Sequence, residues 1–190
     1  FIMDDATTGN DPNVTGLIAG NLSGAGGNLS ITSTKGIAFR CPAGCPTTAV
    51  GTNSQMNTMG VLFDAANGGD AYYIETSFVV QAPAQNNTAN QGGLWFGLDE
   101  ANFVKLVVIS NTATDANVEM RREVNDTSED ADQIQQEGVA GLIGNTVTLR
   151  LVTDPTAGTI TPYYGVNGGA LQLLVDNAGI NNGLSTLTLP

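Results

Sequence analysis

Histidine is absent from all 190 residues. That removes His-centred catalytic triads, His-ligated zinc and every imidazole acid or base. Basic residues are scarce as well: six Lys and Arg stand against eighteen Asp and Glu, for a formal net charge of −12 and a pI near 4.1. A phosphate backbone or a lipid headgroup needs clustered cations, so no nucleic-acid partner and no polybasic membrane patch is expected. Long hydrophobic runs are missing. No stretch reaches the roughly 18 apolar residues of a membrane span, and the best run, Phe103 to Ile109, is interrupted by Lys105. No membrane insertion is therefore expected. Charged residues are only 13% against 41% hydrophobic, which is the wrong balance for a disordered chain. The length fits one domain, residues 1–190, able to bury a core without metal or disulfide.

Cysteine is limited to Cys41 and Cys45, in Cys-Pro-Ala-Gly-Cys. Two thiolates without His or further Cys make a poor zinc site. The spacing, with Pro and Gly between, suits a small disulfide loop in a tight turn and points to an oxidising compartment. The chain starts at Phe1 rather than Met, which reads as a processed or trimmed N-terminus. Asn-X-Ser/Thr sequons fall at Asn13, Asn21, Asn28, Asn86 and Asn125. Composition alone would give about three, so they are glycosylation acceptors only in a suitable host. An acidic, Lys-poor, Thr-, Asn- and Gly-rich chain with one disulfide reads as secreted or cell-surface.

Helical periodicity is nearly absent too. In its place stand short β-branched and aromatic runs bounded by Gly, Asn and Asp clusters. Strands are predicted over residues 28–34, 36–40, 59–63, 72–81, 92–98, 103–110, 117–124, 146–153, 159–164, 170–175 and 184–189. Turn clusters such as Asn67-Gly-Gly-Asp70, Asp154-Pro-Thr-Ala-Gly158 and Asn167-Gly-Gly169 separate them. Many short strands at hairpin spacing predict an all-β fold, a two-sheet antiparallel β-sandwich. Alternation assigns the faces. Leu94, Phe96 and Leu98 share one face, with Trp95 on the other. Val147, Leu149 and Leu151 point inward, Thr148 and Arg150 outward. Residues 103–109 are apolar on both faces apart from Lys105, which marks a central strand.

The segment Gly92-Gly-Leu-Trp-Phe-Gly-Leu-Asp-Glu-Ala-Asn-Phe-Val-Lys-Leu-Val-Val-Ile109 resembles a hairpin of concanavalin A-like, LamG-like jelly-roll domains. Flanking pieces are similar as well. Asn53 to Asn57 leads into Met59-Gly-Val-Leu-Phe-Asp64, Val118 to Glu123 looks like the following strand, and Thr159 to Leu174 carries Tyr163-Tyr-Gly-Val-Asn-Gly-Gly169. Phe1-Ile-Met-Asp4-Asp5 resembles the acidic start of such domains. The resemblance spans about residues 28–175 and implies a jelly roll of the kind attached to secreted glycosidases and surface proteins. It departs from the pattern after Val175. Where the family often continues with an apolar strand, Asp176 to Gly183 is a polar loop, so the sheet is completed differently or by a neighbour.

No catalytic constellation is present. The Glu-x-Asp-x-x-Glu strand of related jelly-roll glycanases is missing. Glu119-Met-Arg-Arg-Glu123 places two carboxylates on one strand face around Arg121, which reads as an exposed, charge-neutralised face rather than an acid–base pair. No Ser or Cys nucleophile has an evident base. A non-enzyme is therefore expected. Calcium is the cofactor the residue types favour, since it takes loop carboxylates and amide oxygens. Asp4, Asp5 and Asp176 are the candidate ligands, because jelly-roll domains often bind the ion where their ends meet. Sugar binding would use an aromatic ring on a pyranose face with polar groups alongside. Trp95 leads the candidates, with Lys105, Arg121, Arg150 and Tyr163 expected on the same sheet face. The leading functional expectation is an extracellular module that binds a glycan or an extracellular surface protein. The alternatives are a self-assembling homo-polymer of a filament, sheath or adhesive matrix, formed by strand addition, and, remotely, a glycoside hydrolase.

Overall fold

A computed structural model describes residues 2–4, 58–60, 71–82, 90–99, 101–179 and 181–190. Cys41, Cys45, Asp5, Asn13, Asn21, Asn28 and Asn86 lie outside the described residues, as do the strands expected over 28–34 and 36–40. The chain divides into two compact units. In the first, β1 (Ile2–Asp4) pairs antiparallel with β2 (Thr58–Gly60). The second holds every other described element. Among the described residues there is no α-helix, and no helix is long and apolar enough to cross a membrane.

The second unit is built of two antiparallel sheets. The four-stranded sheet is a meander of β4 (Asn90–Asp99), β5 (Asn102–Ser110), β6 (Ala116–Glu123) and β7 (Gln133–Gln136). The five-stranded sheet follows the order β10 (Gln172–Leu173), β9 (Thr159–Val166), β8 (Thr146–Asp154) and β3 (Tyr72–Val79), with β11 (Leu187–Thr188) also on β9. The chain leaves β3 for the other sheet, runs the whole meander, and returns as β8 to pair with β3.

Alternation places the core. Leu94, Leu106, Met120 and Ile134 lie side by side across the meander, and the last three are fully buried. Facing them, Ile74 pairs with Leu151, Thr76 with Leu149, and Phe78 with Val147. Val147, Leu149 and Leu151 have no exposed surface, while Thr148 and Arg150 between them face outward, as the sequence required. Tyr164 reaches across the core and donates its hydroxyl to Gln136 Oε1 at 3.1 Å; burial pushes its pKa up, with the Gln136 bond opposing.

Three elements differ from the sequence reading, one of them the strand expected over 184–189, which narrows to the two residues of β11. β7, Gln-Ile-Gln-Gln, is a strand where none was expected. It carries one apolar residue, Ile134, which is too little for a period-2 signal, yet that residue completes the core row. The strand expected over 170–175 shortens to two residues, because the chain then bends to follow a different edge.

Candidate functional site

On the meander's other face, register sets Trp95 beside Lys105, Lys105 beside Arg121, and Arg121 beside Gln133. Three of the five expected ligand residues therefore share one row. A chain of polar contacts crosses it. Lys105 Nζ donates to Gln91 Oε1 at 2.8 Å and lies 3.4 Å from Glu119 Oε1. Gln133 Nε2 donates to Glu119 Oε2 at 2.9 Å and to Gln135 Oε1 at 2.7 Å, and Gln135 Nε2 donates to Glu137 Oε1 at 3.2 Å. Arg121 Nε donates to Ser128 Oγ at 2.8 Å. The Lys105 and Glu119 side chains keep only 12% and 7% of their exposure, and Glu123 none. The Glu119–Glu123 face is thus buried rather than exposed. β6 lies inside its sheet, and of the side chains that flank Glu119, Lys105 supplies the opposite charge and Gln133 the hydrogen bond that a buried carboxylate needs.

Trp95 lies within this packing. Its ring stacks on Phe103, centroids 5.8 Å apart and planes at 27°. Phe103 sits opposite Gly97. A Cβ at Gly97 would come within 2.6 Å of Phe103 Cα, and one at Gly93 within 2.8 Å of Val107 Cα. The two glycines therefore let β4 approach β5 closely, and the diagonal aromatic ring covers the space they leave. They leave the tryptophan half-buried rather than standing free in solvent. The indole Nε1 is buried without a hydrogen-bond partner.

Arg150 and Tyr163 are not on that face. They pair with each other on the outer face of the five-stranded sheet, in the row Glu75, Arg150, Tyr163. Parity fixes which way a side chain points but not which sheet its strand joins, so their separation from Trp95 could not be read locally. Arg150 is held from two sides. Its Nε and Nη2 contact Glu75 Oε2 at 2.7 and 2.6 Å, and its guanidinium carbon lies 4.3 Å from the centre of the Tyr73 ring. Tyr73 keeps 53% of its surface exposed, and Leu173, next in the row after Tyr163, keeps 40%. Tyr73 and Glu75 were not among the expected ligand residues. Their outward parity on β3 was legible; their partnership with Arg150, more than seventy residues away, was not.

Asp176 is almost fully buried, and each carboxylate oxygen is used. Oδ1 accepts the Gln135 N–H at 2.8 Å and Oδ2 the Asn181 N–H at 3.1 Å. Around it, Asn177 N donates to Gln135 O at 2.9 Å and Asn177 Oδ1 accepts the Glu137 N–H at 2.7 Å. Asn181 Nδ2 donates to Gln133 O at 2.9 Å and also to Asp130 O. The polar loop thus completes the edge of β7, with side-chain amides and carboxylates in the place of a further strand. Asp4 lies in β1. Among the described residues no three His, Cys, Asp or Glu gather to hold a metal ion. Asn125 sits exposed in the turn after β6 with a φ of 52°.

No family model, curated protein or solved structure matches the chain.

Proposed function

We propose that the chain is a non-catalytic, extracellular binding module of the concanavalin A-like, LamG-like jelly-roll type, which recognises a glycan through the outer face of its five-stranded sheet. The observation that carries this reading is the Tyr73–Arg150 stack. A half-exposed ring is held flat by a guanidinium that Glu75 fixes in turn, with Tyr163 in the adjoining row. A rigid aromatic surface with oriented polar groups beside it suits the mixed apolar and hydroxyl face of a sugar. The jelly-roll assignment is supported by the resemblance over residues 28–175 and by the return of β8 to β3 after the meander. Glu119 and Glu123, four positions apart on β6, have backbones about 13 Å apart at strand spacing, which speaks against an acid–base pair across one glycosidic bond. Extracellular placement is supported by the acidic, Lys-poor composition and the Cys41–Cys45 spacing.

Affinity electrophoresis through gels containing soluble polysaccharides tests the reading. The expected result is retardation by at least one polymer, lost in Tyr73→Ala. Equal mobility in every gel sinks it.

A further inference from the structure

We infer that the Tyr73–Arg150–Tyr163 surface takes an uncharged oligosaccharide, laid across the strands and long enough to reach both tyrosines. This rests on the glycan reading and narrows it.

Charge is the first argument. The outward positions are Tyr73, Glu75, Ser77 and Val79 on β3, Thr146, Thr148, Arg150, Val152 and Asp154 on β8, and Thr159, Thr161, Tyr163 and Gly165 on β9. Glu75, Arg150 and Asp154 are the charged residues among them; Glu75 and Arg150 neutralise each other at 2.6 Å, and Asp154, at the end of β8, accepts the Ala157 N–H of its own turn at 2.9 Å. A uronate or sulfate would find no spare cation here, on a chain carrying −12 overall. An amino sugar would find Asp154 alone, at the strand end and engaged by the Ala157 N–H of its turn. Between the two tyrosines, away from Asp154 at the strand end, the face is a neutral patch on an acidic molecule, and the complement of such a patch is a neutral ligand.

The chemistry of the ion pair is the second argument. Both contacts from Arg150 fall on Glu75 Oε2. That leaves Oε1 and Nη1 outside the two contacts, an acceptor on the carboxylate and a donor on the guanidinium of one ion pair. Hydroxyls along a sugar chain offer the matching donor and acceptor, and they do so without a net charge to desolvate.

Span is the third. Tyr73 lies opposite Val152 and Thr161, and Tyr163 is two strands away and two residues along. Strand spacing then separates the two backbones by roughly 12 Å. A single sugar cannot rest on both rings with Arg150 between them, whereas an oligosaccharide can.

The test is retention of the protein on immobilised neutral polymers (hydroxyethylcellulose, dextran), acidic polymers (alginate, heparin) and chitosan, at low salt and at about 0.5 M, where surface charges are screened. The expected result is retention on a neutral polymer that salt does not change, competed by its oligosaccharides but not by its monosaccharide. Tyr73→Ala and Tyr163→Ala should each weaken it about tenfold, the value of one aromatic contact. An unchanged melting temperature shows that each variant folds. Retention confined to alginate or heparin and abolished by salt overturns this inference while leaving a glycan module standing. Retention on chitosan that disappears in salt and survives Tyr73→Ala is bulk attraction to an acidic protein and also counts against it. No retention on any polymer overturns both readings.

Discussion

Replacing Asp176 by alanine removes the acceptor for two backbone N–H groups, those of Gln135 and Asn181. A hydrogen bond to a charged group contributes about 1.5–3 kcal/mol, because its loss strands a desolvated donor. Asp176 is 4% exposed, so its own side of each bond is dry, but Gln135 and Asn181 are half-buried and water can reach part of what is left. Taking the low end for both bonds gives a loss of about 3 kcal/mol. For a chain of this size that corresponds to a fall in melting temperature of roughly 6–12 °C. Asp176→Asn keeps one acceptor and turns an amide donor toward the other N–H, so it should fall between wild type and alanine. The assay is urea unfolding of all three proteins, each in calcium and again in EDTA. Because Asp176 clamps the loop to β7 through its own hydrogen bonds, the differences between variants should be the same in both buffers. An Asp176→Ala protein as stable as wild type would remove the clamp. A loss seen only in calcium would return Asp176 to the metal ligands the sequence suggested.

Phe96 packs against the core and tilts on Tyr72 at 6.2 Å, so Phe96→Ala should cost about 3 kcal/mol in chemical denaturation. Trp95→Ala should cost a similar amount, about 3 kcal/mol, through the lost Phe103 stack, and should leave polysaccharide retardation unchanged; a stable Trp95→Ala protein that loses binding would move the site to the meander. Tyr164 has a raised pKa in the fold. The unfolded chain therefore ionises first, and stability should be intact below about pH 10 and fall as pH rises toward the folded value. Tyr164→Phe should flatten that alkaline decline, and an unaltered slope would refute the assignment. Cys41 and Cys45 should resist alkylation unless reduced, with a small effect on stability because the loop between them is short; mass spectrometry showing two alkylated thiols without reductant would contradict this.

Faces were legible in the sequence wherever apolar and polar residues alternated. Leu149 and Leu151 went inward and Arg150 outward on that signal alone, and β5 read as central because both its faces are apolar. β7 was not legible, since its fit depends on one isoleucine meeting Met120 and on glutamines that satisfy Glu119. The same limit applied to the ligand residues. Parity put Trp95 opposite Phe96 correctly, but it carries no information about Phe103 lying under the indole, or about β8 and β9 belonging to the other sheet. Asp176 to Gly183 read as polar surface because Asp and Asn are turn formers. Their use as substitutes for a strand becomes visible only beside the β7 carbonyls they contact.

The route by which the two sheets close has a kinetic consequence. Consecutive hairpins build the meander, and the β4–β5 pairing ends with Asp99 opposite Asn102. β3 must instead wait for β8, whose Thr153 bonds Tyr72 across 81 positions of chain. Loop-closure entropy makes such a pairing slow, while hairpins form early. β3 is made before the meander yet can dock only after β8 has emerged, and until then its tyrosines are unsheltered. Substitutions in the β4–β5–β6 hairpins should therefore slow folding, whereas those on β3 should chiefly speed unfolding. A Phe78→Leu variant that slows folding as much as a Leu106→Val variant would show that the long closure is made in the transition state itself, and that the Tyr73–Arg150 surface is assembled at the start of folding rather than at its end.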